Sequence, residues 1–193
     1  KYSIENIAII GGKEAHLVTE MLTENSIPII LDRIHRLPNT LDEDVDLPYK
    51  QAKILFEAGV KISFCYQGDM EAMGQRNLPF SAGTAVAYGL PYEEAVAALS
   101  LNTAKILGVD KHMGSLELGK DATFFISKGD ALDVRTNDVK FAFIKGEEID
   151  LDNHQKALDR KYRAKYNLNI NWNIFHLPSQ QGEYIESWKT KPL

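Results

Sequence analysis

Ala98-Leu99-Ser100-Leu101-Asn102-Thr103-Ala104-Lys105-Ile106-Leu107-Gly108 and, a few residues on, Gly114-Ser115-Leu116-Glu117-Leu118-Gly119-Lys120-Asp121-Ala122 are the stretch that decides how this chain is read. The first run predicts a short helix at Thr103–Leu107 closed by Gly108, since glycine readily adopts the left-handed conformation that ends a helix. The second run, with Gly114 and Gly119 near its two ends, predicts a tight turn. Together they mark a change of period: helical spacing dominates before them and two-residue alternation after them.

Working back from that boundary, Asn77–Tyr88 and Tyr92–Leu99 read as helices separated by Gly89-Leu90-Pro91. Before them, short aliphatic runs alternate with helical patterns. Ile7–Ile10 stops at Gly11-Gly12, Ile27–Leu31 is entered through Pro28, and Val60–Tyr66 follows Gly59. Between the runs, Ala15, Val18, Met21 and Leu22 share one helical face, and Ala52, Leu55 and Phe56 form the stripe of a helix from Pro48 to Ala58. Strands apolar on both faces and separated by helices predict parallel βαβ units. Working forward, Phe124–Ile126 and Phe141–Ile144 read as strands, and Lys145-Gly146 as a hairpin turn into Glu147–Ile149. Asp152 with Gln155 predicts a capping box for a helix bearing Leu151, Leu158, Tyr162 and Tyr166 on one side. The run from Asn167 to Leu193 has no period.

Composition narrows the function classes. The chain has 193 residues, 25% of them charged, and a net charge of −5, which argues against a nucleic-acid partner because phosphate binding needs a basic face. No apolar run approaches the ~20 residues of a membrane span, so a soluble protein is expected. Cys65 is the single cysteine. It cannot form an internal disulfide and reads as a packed strand residue. The chain opens at Lys1-Tyr2-Ser3 without a signal-peptide pattern. Cytoplasm and periplasm are both compatible with it.

The two runs quoted first resemble the amidohydrolase superfamily, specifically its imidazolonepropionase-like branch. The family pattern is T-x-N-P-A-x-x-L-G followed by G-S-L-E-x-G-K-x-A-D-L; Thr103 stands for the usual proline and Thr123 for the usual aspartate. The resemblance covers roughly Ile7 to Asp150 and implies an α/β fold, the C-terminal portion (strands six to eight) of a (β/α)₈ TIM barrel plus part of a small composite β-sandwich domain. On that basis residues 1–110 belong to the barrel, 111–150 to the small β-domain, and 151–193 to a C-terminal helix and an unassigned tail.

The resemblance further implies a hydrolase acting on non-peptide C–N bonds, in amides or cyclic amides, with zinc or another divalent metal in the intact protein. The family's His-x-His pair and its fourth- and fifth-strand ligands would lie upstream of Lys1, so this chain alone is expected to hold no catalytic metal. His16 follows the first strand here and is a weak metal candidate. The family's eighth-strand aspartate falls at Gln67, and Asp69, two residues later, is the candidate general base and metal ligand. The polar exit of the second strand makes Arg33 and His35 candidates for an anionic substrate group, together with Arg76; a salt bridge to Asp42–Asp46 is the bland alternative. The implied partners are a small-molecule substrate and whatever covers the open barrel edge, either the missing N-terminal half or a partner chain. The competing functional reading is an inactive homologue that binds or scaffolds, favoured by Gly11-Gly12 and Gln67.

Overall fold

The three aliphatic runs become three parallel strands. The computed structural model describes residues 6–38, 40–68 and 71–168. β1 (Ile9–Gly11), β2 (Ile29–Asp32) and β3 (Ile62–Cys65) pair in the order β1-β2-β3. Ile9, Ile29 and Ile62 stand side by side, as do Ile10, Ile30 and Ser63, and then Asp32 beside Cys65.

Because side chains alternate along a strand, these rows separate the two faces of the sheet. Ile29, Leu31, Ile62 and Phe64 are buried in a core with residues of the helical layer. That layer draws on α1 (Thr19–Glu24), α2 (Leu47–Glu57) and, beyond the short α3 (Glu71–Gly74), on α4 (Leu78–Ala87) and α5 (Tyr92–Leu99), which α6 (Leu101–Ile106) follows. Leu22, Ala52, Leu55, Ala82, Ala85, Ala95 and Ala98 are its buried contributions. The row Ile10, Ile30, Ser63 lies on the opposite face, where Ile10 is 58% exposed.

Gly59, at φ +82°, ends α2, and Gly108, at φ +71°, ends α6, both in the left-handed conformation expected of them. One expected stripe is reduced. Val18 and Met21 are exposed, and only Ala15 and Leu22 reach the core. The cause is a 3₁₀ turn at Ala15–Leu17, whose three residues per turn shift the phase of the face before α1 begins.

Thr103 on α6 explains one departure from the family pattern. Its hydroxyl donates to the Ala98 carbonyl at 2.8 Å and meets the Ser63 hydroxyl at 2.6 Å. Since Thr103 already donates to Ala98, Ser63 is the donor between the two hydroxyls. α6 thereby reaches the sheet face opposite α2 and α4. Its last residues, with Gly108, also line a cleft of about 850 Å³ at the N-terminal ends of the strands, beside Ile27, Pro28 and Val60.

The two motif runs are packed against each other. A Cβ on Gly114 would lie 2.6 Å from the Ala104 Cβ and 3.1 Å from the Leu101 Cα, so only glycine fits there, and its φ of +97° agrees.

Beyond the turn, β4 (Phe124–Ser127), β5 (Val139–Ile144) and β6 (Glu147–Glu148) form a small antiparallel sheet. Phe124 and Phe143 stack across it at 5.0 Å. Lys145 and Gly146 both have positive φ, the geometry of a primed hairpin turn. The loop from β4 to β5 returns to the first layer. Leu132 joins the main core, and a Cβ on Gly83 of α4 would overlap the Leu132 carbonyl.

The chain divides into two units between Leu151 and Asp152. In the second unit, α7 (His154–Tyr166) is capped by Asn153, whose side chain accepts the Lys156 N–H at 2.9 Å. Asp152 instead forms a paired contact with Arg160 at 2.9 and 2.6 Å, so the cap lies one residue later than the capping-box expectation. The unassigned run lies outside the described residues from position 169 onward.

Candidate functional site

In parallel α/β sheets, ligands meet the loops at the carboxyl ends of the strands. Here those ends are Gly11-Gly12 after β1, Asp32-Arg33 after β2 and Tyr66-Gln67-Gly68 after β3.

Two polar clamps hold these loops. Gln51 of α2, 4% exposed, donates its amide to the carbonyls of Gly12 (2.7 Å) and Lys13 (2.9 Å). Asp32 accepts the Gln67 N–H at 2.9 Å, joining the exits of β2 and β3. Arg33 packs on the same exit: a Cβ on Gly68 would lie 3.3 Å from its Nη2. Cys65, half-buried beside Asp32, has its thiol pKa raised first by burial and then by the Asp32 charge.

Gln51 and Asp32 are the residues that reading by residue type passed over. Each left a positional signal. Gln51 sits in the buried stripe Pro48, Gln51, Ala52, Leu55, at spacings where only apolar residues are expected. Asp32 is in phase with Ile30 at the end of a strand otherwise apolar throughout.

The residues singled out from the sequence are dispersed. His16 lies in the 3₁₀ turn after β1, half-buried, with Nδ1 enclosed and without a hydrogen-bond partner among the described residues. His35 turns to the helical layer. Its Nε2 meets the Thr84 hydroxyl of α4 at 2.8 Å, and its ring lies 6.1 Å from Tyr49 of α2. It lines a separate cleft of about 660 Å³ with Tyr66, Phe80, Tyr92 and Asp130. There the Tyr92 phenol donates to Asp130 at 2.8 Å, which raises its pKa. Arg33 and Arg76 are exposed, Arg76 in the turn that leads into α4.

The acidic stretch is engaged by neighbours of these residues. Arg36 pairs with Glu43 at 3.1 Å, and Lys50 with Asp46 at 2.7 Å, which lowers the Asp46 pKa. Asp69 lies outside the described residues.

Among the described residues, no three His, Cys, Asp or Glu side chains gather closely enough to hold a metal ion. The strand ends offer Gly11, Asp32 and Cys65, and one Asp32 oxygen is already taken by Gln67. This donor set does not fit a metal centre without ligands from elsewhere. Among the same residues, no helix is long and apolar enough to cross a membrane.

A parallel sheet with helices packed against it, polar loops at its carboxyl ends and a small antiparallel sheet in the same unit define a mixed α/β domain. More particularly, the chain belongs to the amidohydrolase family, whose model matches residues 13–149.

It is 33% identical over 114 residues to an amidohydrolase, tasK, of Hapsidospora irregularis, covering 54% of this chain and 11% of that protein. It is 33% identical over 82 residues to an imidazolonepropionase of Syntrophobacter fumaroxidans, covering 42% of this chain and 19% of that protein. Among solved structures it is similar to an amidohydrolase from Thermotoga maritima, at 29% identity and a TM-score of 0.64, over 75% of this chain and 37% of that one. The chain thus spans well under half the length of these relatives.

Proposed function

We propose that this chain is the C-terminal portion of a metal-dependent hydrolase that cleaves non-peptide C–N bonds in amides or cyclic amides. β1, β2 and β3 would then be the sixth to eighth strands of a (β/α)₈ barrel, with β4–β6 as part of the accompanying β-domain. The observation that carries this reading is the family match over residues 13–149, which includes most of both sheets. The metal, zinc or another divalent ion, would be held by ligands outside the described residues, with His16 as a minor candidate from this chain. Asp69 is the proposed proton acceptor. Arg33 and Arg76 are the proposed contacts for an anionic group of a small-molecule substrate, with His35 as a third candidate. The edge of β1 that is unpaired among the described residues, where Ile9 and Ile10 are exposed, fits pairing with a further strand of the same protein or of a partner chain.

The test is turnover of a panel of N-acyl amides and cyclic amides by the full-length protein, before and after chelation. Hydrolysis that chelation removes, zinc restores and Asp69→Asn abolishes supports the proposal. Absence of turnover in the zinc-replete protein overturns it. The second reading, a homologue that binds without catalysis, is favoured by the donor set itself. The β1 end presents Gly11-Gly12, and Gln67 stands where an acid is expected.

A further inference from the structure

Among the described residues, the exits of β2 and β3 are joined by side chains of the β2 exit. Asp32 and Arg33 both act on the Gln67-Gly68 pair, the first through its carboxylate and the second by packing. Asp32 is in register with Cys65 and lies on the sheet face opposite the helical core, so its carboxylate stands at the carboxyl end of the middle strand. Gly68 has φ +120°, a conformation that favours glycine, and it leaves space for the Arg33 guanidinium. A half-buried carboxylate accepting a backbone N–H forms a charge-assisted bond, stronger than a neutral one.

We propose that Asp32 is a positioning residue of the strand-end site, fixing the exit of β3 through the Gln67 N–H while Arg33 buttresses it at Gly68. This assigns Arg33 a supporting part in addition to the substrate contact proposed above. Only the activity arm of the test rests on the hydrolase reading. The Asp32 charge contributes to the raised pKa of Cys65, which gives a second and local readout.

The experiment compares Asp32→Ala and Asp32→Asn with the parent in the full chain. It measures amide hydrogen exchange resolved to Gln67 and the pH dependence of Cys65 alkylation by iodoacetamide. In Asp32→Ala, Gln67 exchange should rise by about tenfold or more, with the Leu31 and Phe64 amides unchanged. In Asp32→Asn, the side-chain carbonyl still accepts the bond, so Gln67 should stay within about threefold of the parent. Both variants remove the negative charge, so the alkylation profile should move to lower pH in each. Burial, the larger cause of the raised thiol pKa, remains.

Unchanged Gln67 exchange in Asp32→Ala, or equal acceleration at Leu31 and Phe64, overturns the proposal. So does an alkylation profile that does not move. Where amide hydrolysis is measurable, Asp32→Ala should lower kcat by about tenfold with KM little changed, and Asp32→Asn should recover most of it. A KM effect alone would count against positioning. Because exchange and alkylation need no substrate, a protein inactive on every amide can still satisfy those arms, so the two readings fail separately.

Discussion

Thr103 shows how one substitution can be read twice. In the sequence it is a departure from a proline; in the fold its hydroxyl satisfies Ser63, which is 1% exposed. Thr103→Val keeps the shape and removes the acceptor, stranding a buried hydroxyl at a cost of about 1–3 kcal/mol. Urea denaturation should show that loss, and the double variant with Ser63→Ala should recover most of it, because then neither partner is left unpaired. A double variant no better than the single would show that the pair does not couple. The same scale separates what was legible from what was not. Gly108 and the Lys145-Gly146 turn announce themselves because glycine at such positions has few other uses. The partners of Asp32, Gln51 and His35 lie 35 to 49 residues away, so local position can flag Asp32 and Gln51 without saying what any of the three holds.

Elements were more legible than sites. All three parallel strands and the antiparallel pair fall on the aliphatic runs, since period and length carry that information. The loop from β4 to β5 was not legible. Lys128-Gly129-Asp130-Ala131-Leu132-Asp133-Val134-Arg135-Thr136-Asn137-Asp138 is polar and without a period, yet Leu132 is 7% exposed and belongs to the core of the first layer. The contact also needs Gly83, whose missing Cβ makes room for the Leu132 carbonyl. Leu132→Ala should therefore cost about 2–5 kcal/mol, as for other buried leucines, with no change at any strand end. Chemical denaturation of the variant is the measurement. A loss under about 0.5 kcal/mol would place Leu132 among surface substitutions and remove it from the core.

At the scale of the whole molecule, the unfinished feature is the first strand. Ile7, Ile9 and Ile10 are 46%, 37% and 58% exposed, and among the described residues β1 is paired on one side only. An exposed, apolar strand edge is a template for association. The isolated chain is expected to self-associate as its concentration rises, and sedimentation velocity across a concentration series is the check. A monomer at all concentrations with a cooperative melt would mean that the edge needs no cover. The family was legible in two short runs, while the activity was not. The groups that would perform it lie at loops whose side chains are either dispersed, like His16, His35 and Arg76, or outside the described residues, like Asp69.

The contact of Gly114 with Ala104 and Leu101 bears on what such a signature can record over evolutionary time. Two segments that share a glycine-sized gap cannot drift independently. A side chain at 114 would meet the Ala104 methyl and the Leu101 backbone at once, and the φ of +97° would strain it besides. The glycine is thus demanded by folding, independently of any chemistry at the carboxyl ends of the strands. Ancestry can be read from these residues with assurance, while the trade the descendants practise has to be read from the loops.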